Sequence, residues 1–193
     1  MWSTRSTDRV VSQGTVAVEG ANSSAAETQS VTTGGAVLPG PSETGADLAV
    51  GMPAPTLHGF RFDGTPLDII PVGHPTMVVF LAHWCPHCNC EIPVLQRWAA
   101  AGSAPAELQI VGVSTAVSAQ RENYPPSKWM IDKAWEWRPV MADSAASDAA
   151  KAYGIGAFPS FVVIGSDGLV KVRSSGELHV ADLDAIVKQA VGT

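Results

Sequence analysis

The stretch "TMVVFLAHWCPHCNCEIPVLQRWAAA", residues 76–101, changes its periodicity in the middle. Its first six residues are a continuous β-branched and aromatic run, which predicts a strand buried on both faces; a half-exposed strand would alternate with polar residues. From Pro86 the pattern becomes helical, with Ile92, Leu95 and Trp98 on one face. Pro86 suits the first helical turn, where its missing N–H leaves no bond unmade. Pro93 falls inside the pattern and is expected to kink the helix. The junction between strand and helix holds all three cysteines of the 193-residue chain, with two histidines and a glutamate.

Those residue types at that spacing point to redox chemistry. Cys85 opens the helix, so unpaired amides and the helix dipole face its sulfur and favour the thiolate, the form that attacks disulfides. Cys88, one turn on, can reach back to resolve the mixed disulfide. His87 between them can add positive charge or a donor near Cys85, stabilising the reduced form and making the disulfide more oxidising. Glu91 lies three residues after Cys88, on the same side of the helix. Buried there with a raised pKa it can shuttle the resolving thiol's proton; a solvent-exposed glutamate is the plain alternative. Cys90 lies about 140° from Cys85 and about 160° from Cys88 on an ideal helix. It is either a small residue on the helix flank or a regulatory thiol.

Metal binding is the main rival. A C-x-x-C pair is half of a zinc site, but a second pair of ligands of the usual kind is missing from the sequence. His83 and His87 flank Cys85, and a copper or zinc ion held by these with the cysteines is the binding-protein alternative. The divergence of the sulfurs around the helix start weakens it, and no metal ligand is assigned.

Outward from this stretch, residues 1–48 are rich in Ser, Thr, Gly and Ala and have no bulky aromatic after Trp2. They predict a disordered or flexible tether, with a weak strand around Val10–Val18 as the alternative. Residues 49–193 form the folded domain. It begins with two short alternating runs around Asp63-Gly64-Thr65, a β-hairpin. "LQIVGVST" is a second buried strand. Pro125-Pro126 blocks helix before Ser127, which is expected to cap a helix over the next residues. "RPVMADS" is a short strand and "SAASDAAKAYGI" a helix ending at Gly154. "SFVVIGSDGLVKVRSSG" is strand, Asp-Gly turn and strand, and "VADLDAIVKQAVG" an amphipathic closing helix. Alternating strands and helices make this an α/β domain with helices on both faces of a central sheet.

Two further features bear on function. "AFPSFVVIG" places an aromatic-Pro step immediately before a buried strand, which suits a turn with a cis peptide that presents the Phe158 backbone to an extended substrate. Trp129, Trp135 and Trp137 with Tyr124 read as core residues, or as an aromatic rim for a peptide substrate. The net charge of −6, without a Lys/Arg cluster, argues against nucleic acid or anionic lipid as partner. No run of eighteen apolar residues is present to span a bilayer, and the first twenty residues lack the apolar core of a signal peptide. Taken literally the chain is expected not to be exported, unless it is the soluble part of a longer anchored protein or begins at a misplaced start codon.

With these residues in place, the chain resembles the thioredoxin-like superfamily. Within it, the chain is similar to the TlpA-like and ResA-like thiol-disulfide oxidoreductases that work outside the cytoplasm. The resemblance covers roughly residues 51–193 and rests on "APTL…DGTPLDI", "VVFLAHWCPHC", the proline five residues after the second cysteine, "YGIGAFPSFVVIGSDG" and the last helix. It implies a thioredoxin-like fold, a central mixed β-sheet flanked by helices with an N-terminal β-hairpin. It further implies Trp84 as the ring flanking the site, Cys85 as nucleophile, Cys88 as resolver, Glu91 as buried acid and Pro159 as the cis-proline. Protein or small-molecule thiols and disulfides would be the partners, with a redox partner to reset the pair and no organic cofactor. Two departures stand out. Val79 occupies the place where thioredoxin itself carries an acid, so proton handling falls to Glu91 or water. The Pro86-His87 dipeptide looks like that of oxidising DsbA-type enzymes, which leaves the direction of electron flow open. A thiol peroxidase is a further alternative, weakened because no separate cysteine stands in an earlier loop.

Overall fold

The structure, a computed structural model, describes residues 25–42 and 45–192; Val10–Val18 lies outside them. Strand β4 (Thr76–Leu81) is buried along its whole length and is the axis of the molecule. It pairs in parallel with β5 (Gln109–Ser114), which pairs in parallel with β6 (Val140–Ala142). On its other side runs antiparallel β7 (Ser160–Ile164), followed by antiparallel β8 (Val170–Ser175). The predicted hairpin is β2 (Thr56–Phe60) with β3 (Pro66–Ile69), and it joins the sheet through β6. With β1 (Thr32–Gly34) on β2, the sheet has eight strands in the order β1-β2-β6-β5-β4-β7-β8, with β3 on β2.

Because successive strand residues face opposite sides, β4 feeds two cores. Met77, Val79 and Leu81 pack with α1 (Pro86–Ala100), α2 (Pro126–Asp132) and α4 (Val180–Val191). Val78 and Phe80 pack on the other face, with α3 (Asp148–Ala152) and Tyr153. Ile92, Leu95 and Trp98 are buried on α1 as the helical spacing required, and the helix runs through Pro93 without a break. Gly154 ends α3 at φ +63°, where a Cβ would also collide with the Pro39 carbonyl.

The tether expected over residues 1–48 is corrected from Ala25 onward. There the chain lies along the domain: Ala26 N–H bonds to the Phe62 carbonyl, β1 pairs with β2, and Leu38 is buried over α3. Arg173 of β8 bonds both Asp47 oxygens at 2.6 and 2.8 Å and the Pro39 and Tyr153 carbonyls. One leucine and one buried ion pair anchor a segment whose composition is that of a linker. The predicted Ser127 cap is also corrected. Helix α2 starts at Pro126, and Ser127 instead gives its N–H and its hydroxyl to the Glu27 carboxylate, at 2.8 and 2.6 Å. A proline fits the first helical position because it has no N–H to satisfy, so the helix begins one residue earlier and a distant carboxylate serves its first amide, that of Ser127.

Candidate active site

The sheet register brings the functional loops to one edge. Leu81 lies opposite Ser114 and Phe80 opposite Ser160, so the ends of β4 and β5 meet the start of β7, and Ser160 opposite Ser175 adds the end of β8. Cys85 is the N-cap residue of α1, in extended conformation, with its sulfur at the positive end of the helix. Its N–H bonds the Ala82 carbonyl at 3.0 Å, and its carbonyl accepts from Asn89 Nδ2 at 3.1 Å. Asn89 Oδ1 accepts from Trp129 Nε1 at 2.9 Å, which ties the first helical turn to α2. The Cys85 thiol, 5% exposed, donates to the Phe158 carbonyl at 3.2 Å, and the Phe158–Pro159 peptide is cis. Two motifs about seventy residues apart in sequence therefore meet at one sulfur.

Cys88 lies behind Cys85 and is fully buried, and Cys90 is exposed on the flank. Burial pushes the Cys88 thiol far above its ordinary value, and the neighbouring charges of Cys85 and Glu91 act in the same direction. Glu91 is fully buried as well. Its Oε2 accepts from the Leu178 N–H at 2.9 Å, while Oε1 has no hydrogen-bond partner. Burial raises this carboxyl from 4.5 to about 7, against the Leu178 bond and with help from the Glu177 charge. A carboxyl poised there can both take and give a proton near neutrality. Val79, at the position of the thioredoxin acid, is buried in the core.

His87 stands apart. Its imidazole is 66% exposed and its Nδ1 lies 2.7 Å from the Glu177 carboxylate, so this nitrogen faces a surface anion and not the sulfur. Trp84 does flank the site. Its Nε1–H bonds the Ala116 carbonyl at 2.8 Å, and its ring stands edge-on to Phe158 with centroids 6.0 Å apart. The Arg121 guanidinium lies 4.2 Å over the same ring.

His83 has a role that no local pattern announced. It is buried, its Nδ1 is 2.7 Å from the Glu122 carbonyl, and its Nε2 is 3.2 Å from the Ser118 N–H. A carbonyl can only accept and an amide can only donate, so the ring is neutral with its proton on Nδ1. Burial lowers its pKa, consistent with that state. Asn123 Nδ2 bonds the His83 carbonyl at 2.9 Å. His83 thus pins the 116–124 loop, and both ring nitrogens are committed to protein. Of the aromatic group, Trp129 and Trp135 belong to the core, Trp137 is half-buried against it, and Tyr124 is 45% exposed with its ring against His83. Arg121, Glu177 and Leu178 were likewise missed, because each acts across a long loop closure that leaves no mark on neighbouring residues.

A sequence model of the AhpC/TSA family matches residues 50–173. Among curated proteins, the soluble secreted antigen MPT53 of Mycobacterium tuberculosis is 39% identical over 75 residues. The matched stretch spans 39% of this chain and 39% of that protein. Among solved structures, a thiol:disulfide interchange protein of the thioredoxin family from Chlorobium tepidum TLS is 28% identical with a TM-score of 0.59. It covers 76% of this chain and 100% of its own. StoA from Bacillus subtilis, 20% identical, has a TM-score of 0.57 and covers 70% of this chain and 97% of its own. The fold is thioredoxin-like.

Proposed function

We propose that this chain, which belongs to the AhpC/TSA family and is a thioredoxin-like oxidoreductase, exchanges disulfides with thiol and disulfide partners through Cys85 and Cys88. The observation that carries this reading is the placement of the Cys85 sulfur. It sits at a helix N-terminus, against the Phe158 carbonyl, with Cys88 one turn behind it and Glu91 behind that.

The Cys85 thiolate attacks a substrate disulfide, forming a mixed disulfide and releasing one substrate thiolate. Cys88 then attacks the Cys85 sulfur and releases the second, leaving the Cys85–Cys88 disulfide. Its thiol holds its proton tightly, so this step needs a nearby acceptor, and the unpartnered Oε1 of Glu91 supplies one. Pro86 lets the helix open directly after the nucleophile. Trp84 and Phe158 wall the approach, and the turn at Pro159 offers backbone to an extended chain. A redox partner resets the pair, and oxidation of substrates runs the same steps in reverse. Work outside the cytoplasm is supported by the description of the mycobacterial relative as a soluble secreted antigen. Among the described residues no helix is long and apolar enough to cross a membrane.

The test is insulin-disulfide reduction and oxidative refolding by site variants. Cys85→Ser abolishes both and Cys88→Ser accumulates mixed disulfides. Full turnover by Cys85→Ser, or its loss in Cys90→Ser, overturns the roles given to these sulfurs. Equilibration with glutathione then sets the direction: a potential near that of strong oxidants marks a disulfide donor, a much lower one a reductant. Peroxide turnover in place of disulfide turnover moves the assignment to the peroxidase alternative.

A further inference from the structure

We infer that the 116–124 loop is a recognition element in which Arg121 selects polypeptide partners carrying a carboxylate side chain beside the reacting cysteine. The inference rests on disulfide exchange at Cys85 and adds to it the class of partner.

The geometry is a chain of contacts. The Arg121 guanidinium carbon lies 4.2 Å over the Trp84 ring, Trp84 stands edge-on to Phe158, and the Phe158 carbonyl accepts from the Cys85 thiol. A cation is thus linked to the nucleophile through two aromatic rings and one carbonyl. A guanidinium held over an indole ring by cation–π attraction can still turn N–H donors outward, where they match a carboxylate in bidentate fashion. Among the described residues no acidic side chain forms an ion pair with Arg121. The acids nearest in sequence or function are otherwise engaged or exposed. Glu177 is paired with His87, and Glu122, the next residue after Arg121, is exposed and has its backbone carbonyl held by His83. An arginine beside the site with no ion pair among the described residues, in a chain of net charge −6, can take its counter-ion from the partner.

The loop that carries it is fixed. His83 accepts from Ser118 N–H, donates to the Glu122 carbonyl, and through its own carbonyl holds Asn123; the Trp84 indole holds Ala116. Four bonds bracket Arg121 on both sides, so the backbone that carries the guanidinium is set before a partner arrives and less ordering remains to oppose binding. His83 is neutral, so it does not repel the guanidinium.

Three peptide disulfides that differ only in the residue beside the half-cystine, Glu, Gln or Lys, test the inference against the reduced protein. Two electrons pass from the Cys85–Cys88 dithiol to the peptide disulfide, which leaves as two thiols. The wild type is expected to reduce the Glu peptide about 2- to 5-fold faster than the Gln peptide in kcat/KM, and the Lys peptide slowest, as for one charge pair at an exposed arginine. The ratio falls toward one at ~0.5 M salt and in Arg121→Gln, while Arg121→Lys keeps part of it. Equal rates for the three peptides in the wild type, or a Glu preference that survives Arg121→Gln, overturns the inference. Failure of the wild type to exchange with any of them overturns the exchange reading itself.

Discussion

Replacing Glu91 by Gln should change how both stability and rate depend on pH. The carboxyl is raised from 4.5 to about 7, chiefly by burial, with Glu177 adding to the rise and the Leu178 N–H and His179 opposing it. Between those two values the native protein holds a proton that the unfolded chain has released, so stability falls as pH rises through that interval. At about 1.4 kcal/mol per pKa unit, the group costs on the order of 3 kcal/mol above pH 7 that it does not cost at pH 4.5. Gln is close in shape, can still accept the Leu178 N–H, and does not ionise. Urea unfolding of reduced wild type and Glu91→Gln at pH 5 and pH 8 should therefore show the variant gaining relative to the wild type by roughly 2–3 kcal/mol at the higher pH. In exchange assays the same variant should lose the rate limb centred near 7, because the Cys88 proton has lost its acceptor. Identical pH slopes for the two proteins would refute both the burial argument and the role in proton transfer.

His87→Pro should make the disulfide only slightly less oxidising, by about 30 mV or less, since the imidazole is turned to the Glu177 carboxylate at the surface and away from the sulfur; glutathione equilibration showing a drop of twice that would place His87 against the sulfur. Arg173→Ala should destabilise by about 3 kcal/mol or more in urea, because the guanidinium is 3% exposed and its removal strands Asp47 and the Pro39 and Tyr153 carbonyls. The same variant should become sensitive to limited proteolysis between Ala25 and Val50; a loss under 1 kcal/mol would show that the segment is held otherwise. Protein purified reduced and without chelator should carry well under one equivalent of zinc or copper by elemental analysis, as both nitrogens of His83 are bonded to backbone; stoichiometric metal released by His83→Ala would restore the metal-binding alternative.

The local parts of this protein are legible in its sequence. The run at 76–81 is buried because it has no polar alternation, Pro86 opens a helix because it needs no N–H partner, and the i, i+3 spacing puts Glu91 on the side of Cys88. Hairpin and closing helix are set by turn residues and period in the same way. The features that depend on chain closure are decided only by the tertiary structure. Glu91 is raised toward neutrality because the loop before α4 buries it, 87 residues away. Side-chain geometry on α1 alone permits His87 to face Cys85 or Glu177, and the loop after β8 makes it Glu177. Residues 25–42 and 45–48 have the composition of a tether and yet dock, because Leu38 is buried over α3 and Asp47 meets an arginine 126 residues on. Periodicity and motif record what a residue does within about one turn of its neighbours, whereas burial, charge pairing and loop pinning are properties of whatever distant chain arrives beside it.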